Sequence, residues 1–567
     1  ASEGVAIGRA YLMSEDAYCV IKRDINDKQV KKEINRFKDA VDEAEKNFEK
    51  QHEIVIRDMG KKYGNLFDAY MLIVKDPVFY KGAINIIKNE KVNTEYALQK
   101  VIDDITKNFS LMDDQYMKDR VRDIQDVGNK VMRSLLGADK TSLKDIQSRK
   151  VIVAHILHPS DAVDIKKGKS IGFATDLGGK TSHIVIMAES LGIPAVVGLK
   201  NLSREVSPGD LLIIDGTRGI VYVNPDTDII RSYRSEKKEL TKISRELIKL
   251  KDKPSVTKCG QKISLAANIE DVEELDNVKK YGADGIGLYR TEYIYLNRFN
   301  LPTEGDIFKN IKKVAREVAP APVIVRIVDL GADKMSKQLN IDVEENTFMG
   351  LRGIRICLAY PEMLKTQFRA ILKASKYGNL SIMYPMITDV TEIEEADRIL
   401  GEVKKDLDKE GVKYDKDIKT GAMIETPAAA LNIDYIAGRV DFLSIGTNDL
   451  IQYTLAVARD NESVAYLYTP ADISVIKLIN RIIYGAKMNK KWISMCGKMA
   501  AHTLYTELLI GMGLRNFSMT SSYIPKVKQV IRGTTVEKCE NLVKKVKELH
   551  NSREIIKTLQ VSRDKAI

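Results

Sequence analysis

The sequence predicts a multidomain α/β protein: an α/β domain interrupted by an inserted helical bundle, followed by a (β/α)8 TIM barrel. Three observations carry that expectation. At 567 residues the chain is too long for one hydrophobic core. From about Lys28 to Leu136 it is charged and poor in Pro and Gly, with apolar residues at helical spacing. After Pro254, eight apolar runs rich in β-branched residues alternate with helix-sized amphipathic stretches.

Composition narrows the class of protein. Hydrophobic residues make up 44% and charged residues 30%, an ordinary soluble globular balance. No apolar run approaches the roughly 18 residues of a membrane span, so no membrane insertion is expected. The opening ASEGVAIGRAYL lacks a basic leader and a small-residue cleavage site, and nothing in it suggests export. Cys19, Cys259, Cys357, Cys496 and Cys539 are odd in number and never in metal-ligand spacing, as expected of reduced thiols in a cytoplasm. Lys and Arg exceed Asp and Glu by 90 to 79, but the excess is spread without an aromatic-interleaved patch. Solvated basic faces and an acidic small molecule or protein fit this better than a nucleic acid, and none is expected.

The elements follow in order. Gly4 to Met13 reads as a strand, and the helices after it, such as VKKEINRFKDAVDEAEKNFEKQHEIVI and RVRDIQDVGNKVMRSLLG, carry apolar stripes suited to an antiparallel bundle. Near Lys150 the texture turns to α/β, with KVIVAHIL, SIGFATDL, IPAVVG, LLIIDG and GIVYVNP. If the first strand joins this unit, the bundle is an insertion. Asp226 to Asp252 is charged, without a wide apolar face, and reads as a connector ending at Pro254. The expected divisions are 1–20 with 140–225 for the α/β domain, 21–139 for the bundle, 226–254 for a helical linker and 255–567 for the barrel.

The chemistry-bearing residues of the second half lie where the runs end. Arg290 ends GIGLYR, Arg326 and Asp329 lie in VIVRIVD, Glu425 ends GAMIE, Asn448 and Asp449 end SIGTND, and Cys496 ends WISMC. An arginine at the end of a buried strand needs an anion, and several need a strongly anionic ligand. Arg352 and Arg459 sit in barrel loops from which they can reach the same mouth. Glu425 and Asp449, ending consecutive strands, suit Mg2+, which is commonly held by one or two carboxylates plus substrate oxygens. Structural ion pairing is the competing explanation for any one pair; five such positions together favour a site. Cys496 alone is a buried small hydrophobe, whereas facing an anion cradle it becomes a proton donor.

In the first half, DLGGKTSHIVIMAESLGIPAVVG places a Gly-Gly turn, the capping residues Thr181 and Ser182, and then His183 in the first turn of an amphipathic helix. Helix N-terminal N–H groups would stabilise a phosphoryl group on the imidazole. A lone histidine is more often structural. His52, His155, His158, His502 and His550 have no comparable setting.

At GGKTSHIVIMAESLGIPAVVG, together with GIGLYRTEY, VIVRIVDLGADK, GAMIETPAAA, DFLSIGTNDLIQYTLAVAR and WISMCG, the sequence closely resembles the enzyme I family of the bacterial sugar phosphotransferase system. The likeness spans essentially the whole chain in the family's own order. It implies a swivelling phosphohistidine domain in which phosphoenolpyruvate phosphorylates His183 at Nε2, and docking of the phosphocarrier protein HPr on the helical bundle. It further implies that Arg290, Arg326, Arg352, Arg459 and Asn448, with Asp449, bind phosphoenolpyruvate. Glu425 and Asp449 would hold Mg2+, Cys496 would protonate the enol carbon, and the barrels would form a homodimer.

Several positions depart from the family's pattern. In HILHPSDAVDI an acid is usual at Ile156 and threonines at His158 and Ala162; a hydroxyl at the last can orient the active histidine. Lys498 stands where Glu follows Met-Cys-Gly, Ala458 where an Asp precedes the arginine, and Tyr70 where a histidine is frequent. Two other functions compete. Pyruvate phosphate dikinase and phosphoenolpyruvate synthase resemble both segments but use a nucleotide, and no glycine-rich phosphate loop precedes His183. A regulatory relative that binds the carrier without transfer would fit Ala162 and Lys498.

Overall fold

The computed structural model describes residues 2, 4–13, 20–59, 61–110, 115–136, 150–157, 170–178, 185, 188, 193–296, 300–339, 341, 348–458, 461 and 464–566. His158, Ala162, His183 and Arg459 lie outside the described residues. The chain divides into two compact units, Ala1–Thr241 and Lys242–Ile567.

The first unit contains a six-stranded sheet: β1 (Val5–Leu12), β2 (Lys150–Ala154), β3 (Ser170–Thr175), β4 (Ala195–Val196), β5 (Leu211–Asp215) and β6 (Ile220–Val223), in the order β4-β3-β2-β1-β5-β6. β1 pairs parallel with β2 and antiparallel with β5, so the first strand lies inside the sheet that the later strands build. Strand alternation sends Ala6, Val151, Val153, Leu212 and Ile214 to one apolar cluster. Val5 and Ile213 point the other way and pack with Tyr233.

Tyr233 belongs to the helix Thr227–Ile248, within the segment that reads as a plain connector. Its ring meets Tyr222 at 5.6 Å and its hydroxyl donates to Asp215 Oδ2 at 3.1 Å. A one-turn stripe of Ile229, Ile230 and Tyr233 is thus enough to seat the start of this helix on the sheet, though it is too short to register as an apolar face.

Between β1 and β2 in sequence come the helices Asp27–Met59, Lys61–Lys75, Pro77–Glu90, Thr94–Ser110 and Gln115–Leu136. Asp76 caps the third by accepting the Val78 N–H at 2.7 Å, and Pro77 follows in its first turn. Phe37, Phe48, Phe67, Tyr70 and Phe79 form an aromatic core. Tyr70 is wedged edge-on against Phe48 at 5.4 Å and Phe67 at 5.6 Å, so its role in this chain is packing. Tyr70→Ala should destabilise the bundle by about 3–5 kcal/mol, the usual cost of deleting a buried aromatic, read by urea unfolding.

In the second unit β7 (Ser264–Ile269), β8 (Ile286–Arg290), β9 (Val323–Arg326), β10 (Leu380–Tyr384), β11 (Lys419–Ile424), β12 (Phe442–Gly446), β13 (Trp492–Cys496) and β14 (Asn516–Thr520) close into a parallel barrel. These are the eight apolar runs of the sequence. Helices enclose it, several begun by capping boxes such as Thr303 with Asp306 and Asp389 with Glu392. Leu288, Ile324, Met383, Met423, Phe442 and Cys496 cluster together as a small core of their own. Lys528, on the helix Ile524–Gly533, is buried and donates to the Lys251 carbonyl at 3.0 Å, while Arg532 donates to the Pro254 carbonyl at 2.7 Å. The buried Glu507 accepts from Lys538 at 2.7 Å and from the Ser562 hydroxyl at 2.6 Å, fastening the C-terminal helices.

Candidate active site

In a (β/α)8 barrel the strands all point one way, so residues at their C-terminal ends and in the following loops share one rim. Arg290 and Arg326 are the last residues of β8 and β9 and are register partners. Arg352 is brought in by the loop after β9, through a bridge to Gly331. Glu425 directly follows β11, and Cys496 ends β13. Asn448 and Asp449 are not strand residues: β12 stops at Gly446, and both lie in the first turn of the helix Thr447–Leu455. Five of the sequence-predicted residues are therefore strand-end or helix-turn neighbours on one rim, with Arg352 and Glu425 joining them from loops.

The anions nearest the arginines are carboxylates of the chain itself. Arg352 grips Asp329 with two hydrogen bonds, Nη2 to Oδ2 at 2.9 Å and Nε to Oδ1 at 3.2 Å. Arg326 Nη1 approaches the same carboxylate at 3.2 Å, and its Nη2 donates to Glu292 Oε1 at 2.8 Å. Glu292 Oε1 also accepts the Asp329 N–H at 2.8 Å, and Arg290 pairs with Glu270 at 2.7 Å. Arg352 Nη1 lies 3.7 Å from Asp449 and 3.4 Å from the Tyr453 hydroxyl. Burial pushes the Asp329 carboxyl up, but Arg326 and Arg352 outweigh it and hold the group below its ordinary range.

Glu292, Asp329 and Tyr453 complete the cluster and were not assigned roles from sequence. Tyr453 follows Asp449 by four positions on one helix, the spacing that stacks side chains on one face, and that was its legible signal. Glu292 sits two residues past Arg290 in a short helix, and only the tertiary fold shows that it serves Arg326 instead.

The arginines retain unused capacity. Arg290 Nε, Arg326 Nε and Glu292 Oε2 are buried and have no hydrogen-bond partner among the described residues. Such atoms cost free energy unless something further satisfies them.

Glu425 is fully buried. Burial, with Asp449 and Asp329 nearby, pushes its carboxyl well above the ordinary range, against the opposing pull of Arg326 and a 2.7 Å hydrogen bond from the Met386 N–H. Met386 donates from a left-handed backbone, φ 57°, an unusual conformation for a side chain of this size. Gly446 makes room on the other side, since a Cβ there would lie 2.5 Å from Glu425 Oε2. Gly446→Ala should displace that carboxylate and cost at least about tenfold in kcat while the protein stays folded, checked by steady-state assay beside circular dichroism. Glu425, with its raised proton affinity, and Asp449 nearby are a carboxylate pair that suits a hard divalent ion.

Cys496 is buried, and burial pushes its thiol up; Glu425 adds to this and a 3.3 Å hydrogen bond from Ser444 opposes it. The group is held as a protonated thiol, able to give a proton. Asn448 Oδ1 accepts the Lys498 N–H at 3.2 Å, and Lys498 is exposed.

A barrel rim of this kind, preceded by a small α/β unit with a helical insertion, defines a phosphoenolpyruvate-utilising enzyme. Models of that class match its N-terminal domain at residues 1–120, its mobile domain at 146–219 and its PEP-binding domain at 244–536. A phosphoenolpyruvate-protein phosphotransferase of Priestia megaterium is 39% identical over 98% of this chain and 97% of its own length. Those of Haemophilus influenzae and Bacillus subtilis are each 38% identical, over 95% and 98% of this chain and 93% and 97% of theirs. The chain belongs to the phosphoenolpyruvate-protein phosphotransferase family, the enzyme I family of the sugar phosphotransferase system.

Proposed function

We propose that this enzyme moves the phosphoryl group of phosphoenolpyruvate onto His183 and from there to the histidine of HPr, the first step of sugar uptake by the phosphotransferase system. The observation that carries the barrel half of this proposal is the rim itself: Arg326 and Arg352 locked on Asp329, a neighbouring Glu425–Asp449 carboxylate pair, and buried donor atoms still lacking partners among the described residues. Arg290, Arg326, Arg352, Arg459 and Asn448 bind the substrate's phosphate and carboxylate. Glu425 and Asp449 hold Mg2+, which when bound neutralises phosphate charge.

In the transfer, neutral His183 attacks phosphorus in line while the guanidinium groups stabilise charge on the transferring group. The bond from phosphorus to the enolate oxygen breaks, and the enolate leaves. Cys496 then gives its proton to the enolate carbon, which makes the step favourable because the product is a ketone.

In this proposal residues 1–20 with 140–225 carry the phosphohistidine, 21–139 dock HPr, 226–254 link the halves, and 255–567 bind substrate and dimerise. Because Tyr233 is seated on the sheet, bending of the linker falls after it. Support for a homodimer comes from Leu431, Tyr435, Tyr484 and Met488, large exposed apolar residues on mutually packed barrel helices. Among the described residues no helix is long and apolar enough to cross a membrane, and the four described cysteines are free thiols, in keeping with a cytoplasmic enzyme.

The test is incubation with phosphoenolpyruvate labelled in its phosphoryl group, with Mg2+, followed by addition of HPr. Acid-labile label that passes to HPr is expected; a protein that stays unlabelled would overturn the proposal. Independently of turnover, Mg2+ should raise the thermal unfolding midpoint of the wild type and leave Glu425→Gln unchanged, as expected of an ion bound only by the folded state.

A further inference from the structure

The interior face of the barrel below Cys496 carries two hydroxyls. Ser494 precedes Cys496 by two residues on β13 and so shares its face. Ser444 on β12 is its register partner across the strands. Ser494 donates to Ser444 Oγ at 3.1 Å, and Ser444 donates to Cys496 Sγ at 3.3 Å. All three side chains are buried, with Ser444 wholly sealed from solvent. The thiol hydrogen is directed instead to the Ile445 carbonyl, 3.7 Å away. The two hydroxyls therefore form a donor chain, Ser494 to Ser444 and Ser444 to the sulfur, an arrangement that favours a negative charge arriving there.

We propose that Ser444 and Ser494 are positioning residues that stabilise the sulfur of Cys496 as it gives up its proton, Ser444 directly and Ser494 by polarising Ser444. The inference rests on the assignment of Cys496 as the acid. In the step, the S–H bond breaks with its electron pair left on sulfur. The proton forms a C–H bond with the enolate carbon using the carbon–carbon π pair, and the enolate oxygen's charge becomes the C=O π bond. Water restores the thiol proton after pyruvate departs. A hydrogen bond to a thiolate in a dry interior is worth considerably more than one to a neutral thiol, so the pair acts mainly once charge develops.

Two other roles for the pair predict different behaviour. A proton relay through the hydroxyls would leave an alkoxide on Ser494, because among the described residues no donor reaches its Oγ. Simple filling of the barrel would be served as well by alanine, which is close to serine in volume.

The experiment compares Ser444→Ala, Ser494→Ala, the double variant and Cys496→Ala in the full chain, with phosphoenolpyruvate, Mg2+ and HPr. Ser444→Ala should lower kcat about tenfold with KM for phosphoenolpyruvate within twofold, the order expected on losing one hydrogen bond to a developing charge. Ser494→Ala should lower kcat about threefold, and the double variant should match Ser444→Ala alone, because Ser494 acts through Ser444. If Ser444→Ala does not fold, Ser444→Cys, of similar size but a weak donor, should show the same loss in kcat. Unchanged kcat at Ser444, or losses that multiply in the double variant, would overturn the inference. A Cys496→Ala variant that keeps full turnover would instead overturn the assignment of the acid, and so separates the two failures.

Discussion

His183→Ala is expected to carry no acid-labile label after incubation with phosphoenolpyruvate and Mg2+, and to lose HPr phosphorylation by at least about 10⁴-fold, because removing the nucleophile removes the covalent step. Acid lability marks a phosphorus–nitrogen bond, so the label itself identifies the kind of residue that holds it. Substrate affinity should hardly move: every described residue assigned to phosphoenolpyruvate lies in the second unit, from Arg290 to Asp449. Isothermal titration with phosphoenolpyruvate should therefore give Kd values within about twofold for the variant and the wild type, a margin below 0.5 kcal/mol. Persistent labelling would mean that another of the chain's histidines is the acceptor. Lost binding would mean that the first unit contributes to the substrate site.

Arg326→Met should be nearly as damaging, and for stability as well as chemistry. The guanidinium is buried and answers both Glu292 and Asp329. A methionine fills similar space but takes the guanidinium from Glu292 and leaves Asp329 to Arg352, which should cost the barrel about 3–5 kcal/mol at neutral pH. Transfer should fall by about 10²–10³-fold, because a donor aimed at the transferring charge is gone. Asp329 is held below the ordinary carboxylate range by Arg326 and Arg352 acting against burial, so its contribution to stability is complete above about pH 4 and is lost as pH falls through the depressed folded value. The gap between wild type and variant should accordingly narrow in acid. Urea unfolding at neutral and low pH reads both effects, and equal stabilities at neutral pH would show that the pairing contributes nothing.

How much of this was legible in the sequence depended on the range of the interactions. The eight barrel strands announced themselves because runs such as VIVR and FLSIG are apolar on both faces and bounded by turn residues, a purely local signal. The strand-end positions of Arg290, Arg326 and Cys496 followed directly. Asn448 and Asp449 were placed one element early, since nothing local separates a strand that stops at Gly446 from one that continues through Thr447. For the anion required by the arginines the sequence left a ligand and structural ion pairs both open while favouring a site, and much of that anion is Glu292 and Asp329, reached across strands that only the closed barrel brings together. Met386 was invisible for the same reason: its contribution is a backbone N–H in an uncommon conformation, which no side-chain pattern encodes.

The clasp of Lys528 and Arg532 on the carbonyls of Lys251 and Pro254 fixes where the molecule can be dissected. Those two carbonyls belong to the barrel as surely as its strands do. A fragment beginning near Lys249 would keep the ammonium of Lys528 satisfied and should survive as an independent catalytic half. One beginning at Ser255 would leave a cation shut in without an acceptor, and should be the substrate of choice for any protease that samples partly opened chains.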